Sequence, residues 1–304
     1  MISSQCRRRV VPLVHSSRRY VSKVQADTTT KKETEKGKEK AFPYEPEPLS
    51  RPLGVLDKPS VQHQTKLERL KQVLTDDTAI AEQRKHLVKE AVTKGYFHDL
   101  NATRWNGGKT WIAPKVLIRE DRSLYFPDIA GKSLLHGNPR HTTSMCIGHI
   151  TILCILSTKI SEIQIDAFTK SSMARFSWHP LFQRIQINLQ ENILKSLLVS
   201  LFLASLRRAI PVDQHATYLI SSQNMEYQSE AIGLENNRVG YVYLIDENLR
   251  IRWAGCADPT ADEAKALEVC TGILLKRLDN KNNQIEEQAR KAQAELEAKA
   301  KGSG

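Results

Sequence analysis

The sequence predicts an α/β layered domain behind a helical extension, with disordered termini. Two observations carry the expectation. In the second half of the chain, short runs of strand length alternate with helical stretches. Both ends are polar, charged and short of the apolar residues that a core needs.

Residues 1–26 carry Arg7, Arg8, Arg9, Arg18, Arg19 and Lys23 and no Asp or Glu. Val10, Val11, Leu13 and Val14 supply an apolar stripe, broken by Pro12 and His15. A secretory apolar region is therefore absent, and the segment reads as a mitochondrial presequence, cleaved between about residues 20 and 35. A basic tail for nucleic acid or anionic lipid is the alternative. The net charge of +11 loses six positive charges with this segment and falls to +5. That modest surplus suits a neighbour of anionic membrane or RNA without selecting either. Residues 27–60 join a charged low-complexity stretch (TTTKKETEKGKEK) to a proline-rich one and read as a disordered linker.

Residues 61–98 read as helical, from Leu67, Leu70, Val73 and Leu74 and then Leu87, Val88, Ala91 and Val92. A break at Thr75-Asp76-Asp77 makes two helices, with Asp76 or Asp77 as N-cap. The α/β domain is expected over 110–278. Lys115–Arg119 and Ser123–Phe126 read as short strands around a turn at Glu120-Asp121-Arg122. The run HITILCILS (149–157) suits a strand buried on both faces, and RIQINLQ (184–190) alternates cleanly. Ile193–Leu206 is the most apolar stretch, but it contains Lys195 and is shorter than the roughly 20 residues of a span. It reads as a buried helix. Tyr218–Ser221 is a strand, and VGYVYLID with LRIRWA forms a hairpin around Glu247-Asn248. A helix follows Pro259, capped near Thr260 or Asp262, and residues 279–304 are a solvated helix or a disordered tail.

From residue 115 onward this order resembles a thioredoxin-like (peroxiredoxin-like) domain. YFPDIAGKSL would be the leading strand and turn, HITILCILS the central strand, and GYVYLID with IRWAG the late hairpin. The redox chemistry of such domains needs a low-pKa cysteine where the helix after the central strand begins, in CxxC or TxxC. Here that stretch is Ser157-Thr158-Lys159-Ile160-Ser161-Glu162. Cys154 lies inside the apolar strand, where burial disfavours a thiolate. The proline usual before the late strand is replaced by Arg238-Val239-Gly240. The expectation is a fold without its redox chemistry, and no enzyme.

Other candidate sites fail on spacing. A phosphate loop needs a glycine five residues before the Gly of GK[ST], where Gly131-Lys132-Ser133 has Phe126 and Gly108-Lys109-Thr110 has Thr103. His141, Cys146 and His149 match no closed zinc pattern, and neither metal nor cofactor is expected. Cys6 goes with the presequence. Cys146, Cys154, Cys256 and Cys270 read as small buried apolar groups.

GYVYLIDENLRIRWAGCADPTADE, supported by RPLGVLDKP (51–59), YFPDIAGKSL (125–134), the His141-Thr142-Thr143 step and GLENNRVGYVYLID (233–246), resembles the mitochondrial ATP synthase assembly factors known as the "ATPase complex subunit ten" family. The matches run from about residue 51 to 278. The resemblance implies a chaperone at the matrix side of the inner membrane, peripherally attached, that helps newly made subunit 6 (subunit a) join the ring of subunit c. On the hairpin, Tyr241, Tyr243, Arg250, Arg252 and Trp253 are the expected partner contacts, with either the Tyr241–Tyr243 pair or the Val242–Leu244 pair exposed. A divergent thiol peroxidase and a matrix scaffold bound to mitochondrial ribosome or RNA are the alternatives.

Overall fold

The computed structural model describes residues 46–60, 107–135, 137–190 and 203–302. In chain order these form strands β1 (Glu47–Pro48), β2 (Trp111–Ile112), β3 (Ala130–Ser133) and β4 (Pro139–His141), helix α1 (Thr142–Cys146), strand β5 (Ile150–Leu156), helix α2 (Lys159–Phe176), strand β6 (Phe182–Leu189) and helix α3 (Leu203–Ala209). Strand β7 (Tyr218–Ser221), helix α4 (Glu226–Ile232), strands β8 (Tyr241–Ile245) and β9 (Ile251–Cys256), and helix α5 (Ala261–Gly302) complete them. The expected presequence, the first part of the linker, the helical extension at 61–98 and residues 193–202 of the apolar run lie outside the described residues.

Seven strands make one sheet in the order β4-β3-β7-β6-β5-β8-β9. β5, β6 and β7 run parallel; β8 is antiparallel to β5, and β9 to β8. β3 is antiparallel to β7, and β4 to β3. A parallel β5–α2–β6 unit, an antiparallel β8–β9 hairpin on the other side of β5 and a closing helix make the fold thioredoxin-like. A parallel crossover requires a covering helix, and α2 supplies it.

The apolar run in β5 reflects burial on both faces. Leu153 and Ile155 pack with Ile185, Ile187, Tyr241 and Tyr243 on one face. Ile152, Cys154 and Leu156 pack with Phe168, Val242, Leu244, Trp253 and Leu274 on the other. Helices α2 and α5 cover this second face. The first is covered by Cys146 at the end of α1, by Ile232 at the end of α4, and by mostly irregular chain that includes Leu53, Trp111, Phe126, Ile129 and Leu234.

That covering corrects three expectations. Residues 46–60 are not a disordered linker: Leu53 is buried, and neighbours bond the backbone, with Leu49 N donating to Ile112 O at 3.1 Å and Gly54 N to Ala231 O at 2.8 Å. Gly54 has φ +128°, and a Cβ there would lie 2.7 Å from Tyr125 O, so only glycine fits. Prolines here lack an N–H that would need a partner. Lys115–Arg119 is not a strand, and Ser123–Phe126 keeps only single bridges from Tyr125 to Val55 and Arg250. Its bonds to β9 and the hairpin turn come singly, as Ile118 N to Arg252 O, Ile251 N to Leu124 O and Phe126 N to Leu249 O. The third correction is the exposed tyrosine or aliphatic pair on β8, since every residue of that strand is buried.

Helix α5 starts with Thr260 and Glu263 in a reciprocal cap: Glu263 N donates to Thr260 Oγ1 at 3.2 Å and Thr260 N to Glu263 Oε2 at 2.8 Å. The helix continues through the polar tail to Gly302, with the i,i+4 ion pairs Glu286–Arg290 and Glu287–Lys291 on its exposed surface.

Candidate functional site

The start of α2 is where redox members of this fold hold their cysteine pair. Here a hydroxyl pair occupies it. Thr158 is the N-cap, Ser161 is at the third helical position, and the two cap each other's backbone N–H. Thr158 Oγ1 also donates to Arg238 O at 2.9 Å, and Ser157 Oγ donates to Asn237 O. The loop before β8 is thus tied to the helix by side chains. Gly240 N donates to Gln164 Oε1 at 2.9 Å, and a Cβ on Gly240 would lie 2.7 Å from Ser161 O. The helix end that would stabilise a thiolate is closed by its own hydroxyls and by a glycine loop pressed onto it.

The cysteines lie elsewhere. Cys146, Cys154, Cys256 and Cys270 are all buried and free. Burial pushes the Cys146 and Cys154 thiols up to about 12 and that of Cys270 to about 11, and raises that of Cys256. A thiolate nucleophile is not populated near neutral pH at any of these positions.

The five hairpin residues expected to meet a partner face inward or along the covering chain. Tyr241 is 2% exposed, and its hydroxyl accepts from Asn236 N at 2.8 Å. Tyr243 is fully buried, donates to Ile232 O at 2.8 Å and meets Phe126 edge-on. Trp253 is fully buried, donates from Nε1 to Pro114 O at 2.6 Å and packs edge-on against Phe168. Arg252 pairs with Asp246 at 3.0 Å, with side chains 5% and 1% exposed, and donates from Nε to Ile118 O at 2.9 Å. Burial raises the Asp246 carboxyl, against the lowering effect of the Arg250 amide and the Arg252 guanidinium. Arg250 is half-buried; it donates to Ser123 O at 2.6 Å and stacks over Tyr125, 4.6 Å from the ring centre. The contacts of these side chains are made within the domain. Tyr243, Arg250, Arg252 and Trp253 hold residues 110–126 over β9, which would otherwise be an open sheet edge, and Tyr241 is tied to the loop before β8.

A second cluster was not read as a unit from sequence. Asp128 accepts from His141 Nδ1 at 2.6 Å and from Thr143 N and Oγ1 at 3.1 and 2.8 Å. Burial alone would raise the Asp128 carboxyl, but the His141 and Thr143 hydrogen bonds outweigh it and hold the group below its usual range. Ile129 N donates to Thr142 Oγ1 at 2.8 Å, so the HTT step locks the β4–α1 junction to the PDI segment. The only sequence signal was the recurrence of both pieces in the family pattern. His141, Cys146 and His149 do not converge on a metal, and the described residues contain no group of three or more His, Cys, Asp or Glu able to hold one.

A family model described as "ATP10 protein" matches residues 28–274. The "Mitochondrial ATPase complex subunit ATP10" of Saccharomyces cerevisiae is 30% identical over 244 residues, covering 74% of this chain and 85% of that protein. That of Candida glabrata is 27% identical over 213 residues, covering 66% and 75%. Among solved structures, a secreted thiol-disulfide isomerase from Corynebacterium glutamicum is similar at 14% identity and a TM-score of 0.37, over 53% of this chain and 91% of that one. A DsbF homologue from Corynebacterium diphtheriae is similar at 13% and 0.36, over 51% and 91%. The strand order and directions above, rather than these scores, carry the fold.

Proposed function

The chain belongs to the ATP10 protein family, and we propose on that premise that it is a non-catalytic assembly factor of the mitochondrial ATPase complex. Its client in this reading is subunit 6 (subunit a), which it helps to join the ring of subunit c. The observation that carries the proposal is the family match, which extends over residues 28–274 and so covers the hairpin, the covering chain and the Asp128–His141 junction. The hydroxyl cap at Thr158 and Ser161 and the buried thiols support a fold used without redox turnover, against the peroxidase alternative.

A strongly apolar membrane subunit exposes surface that aggregates until it meets its ring. A folded domain that covers this surface reversibly prevents aggregation without chemistry. With the hairpin side chains engaged internally, the client is met on the outer surface of α2, α5 or the covering chain. Attachment to the matrix side of the inner membrane is peripheral in this reading. No helix among the described residues is long and apolar enough to cross a membrane, which is compatible with it. Photo-crosslinking in mitochondria with pulse-labelled translation products tests the client. An adduct with newly made subunit 6 that decays as the complex matures is expected. Adducts confined to ribosomal components, with RNase-sensitive sedimentation, would overturn the reading in favour of a ribosome-bound scaffold.

A further inference from the structure

One corner of the domain combines cations and apolar side chains that the fold leaves outside. Helix α3 turns Leu203 and Leu206, with Ile210 just after it, toward the core cluster that holds Leu134 and Tyr218. Arg207 Nε donates to Leu134 O at 2.9 Å, Leu135 N to His215 O at 3.2 Å, and Ser133 Oγ to His215 O at 3.0 Å. These bonds tie Ser133, Leu134 and Leu135 to α3 and to the chain that follows it. Lys132 is in register with Ile220, so both lie on the sheet face that α3 covers. Lys132, Arg207 and Arg208 are exposed, and no carboxylate among the described residues pairs with them. Asp213 is the one acid among residues 130–135 and 203–217. On the same segments, Leu135 is 41% and Val212 74% exposed.

We propose that this corner is a docking surface for an anionic lipid bilayer, with Lys132, Arg207 and Arg208 among the headgroups and Leu135 and Val212 inserted just below them. The proposal rests on the peripheral-membrane reading above and states where that contact is made. Exposed cations without a carboxylate partner among the described residues, together with two exposed aliphatic groups, match a charged interface. Each cation near an anionic surface strengthens attachment by about 5-fold, so losing two weakens it by about 30-fold.

The test is flotation of the full chain with phosphatidylcholine vesicles, with and without phosphatidylglycerol. Wild-type chain is expected to float with anionic vesicles only. The Lys132→Glu/Arg208→Glu variant is expected to lose at least about 30-fold in partitioning. A Lys115→Glu/Arg122→Glu variant makes the same charge change at the far edge of the sheet and is expected to bind like wild type. A Leu135→Ser/Val212→Ser variant, which leaves the charge unchanged, is expected to weaken binding too, and equal melting temperatures show that all variants fold. Undiminished binding by both corner variants, or equal loss in the far-edge control, overturns the corner and leaves membrane attachment standing. Failure of wild-type chain to bind anionic vesicles overturns both.

Discussion

Replacing Arg252 by alanine separates a structural staple from a partner contact. The substitution deletes the 3.0 Å bond to Asp246, inside the hairpin, and the 2.9 Å bond to Ile118 O of the covering chain. Breaking a buried ion pair by removing one partner costs about 3–5 kcal/mol, because the other charge stays buried. Asp246 keeps two amide donors, from Asn248 at 3.0 Å and Arg250 at 2.9 Å, so the lower end applies, about 3 kcal/mol. In a chain of this size that lowers the melting temperature by roughly 6–12 °C. The loss depends on pH. The folded pKa of Asp246 is already raised by burial, so its contribution favours folding below its unfolded value of about 4 and declines as pH rises through the folded value. Without Arg252 the folded pKa rises further, so the deficit against wild type is smallest in acid and grows above about pH 4. Urea unfolding at several pH values measures this. An Arg252→Met/Asp246→Asn double variant, which removes both charges and keeps an acceptor for the Asn248 and Arg250 amides, should regain most of the loss. Wild-type stability within about 0.5 kcal/mol for Arg252→Ala, combined with defective ATPase assembly, would refute the structural role and restore the partner contact.

Three further outcomes follow from the same geometry. Gly240→Ala forces a Cβ to within 2.7 Å of Ser161 O and 2.9 Å of Ile165 Cγ1, and should cost about 1–3 kcal/mol in denaturant unfolding. Native protein should leave Cys146, Cys154, Cys256 and Cys270 unmodified by an alkylating reagent at neutral pH, with all four labelled after denaturation; rapid native labelling of any of them would contradict their burial. Asp128→Asn should cost about 1–2 kcal/mol at neutral pH. The Asp128 pKa is lowered on folding, so its contribution is present above about pH 4 and lost as pH falls. The variant's stability should therefore fall less than that of wild type on acidification, and parallel acid limbs would argue against the Asp128–His141 bond.

Much of the sheet was legible because its strands obey simple patterns. HITILCILS is apolar throughout because both of its faces are covered, and the β8–β9 hairpin follows from two apolar runs around Glu247-Asn248. The covering chain was not legible. Leu53, Trp111 and Phe126 sit in proline-rich or irregular stretches without periodicity, and their burial depends on partners distant in sequence, such as Tyr243 and Ala231. The same blindness misread the hairpin. Two-residue alternation on β8 implies one solvent face, but Tyr241 and Val242 are equally buried because the covering chain, with Ile232 of α4 and Cys146 of α1, closes the face that α2 and α5 do not. Missing cysteines at Thr158 and Ser161 were visible at once; their conversion into a helix cap tied to Arg238 O needed the structure.

Blue-native separation of respiratory complexes from mitochondria lacking this chain tests the assembly role most directly. Loss of the full-size ATP synthase with the catalytic head still assembled, restored by adding the chain back, is the predicted result. A full-size complex at wild-type level in its absence would contradict the role.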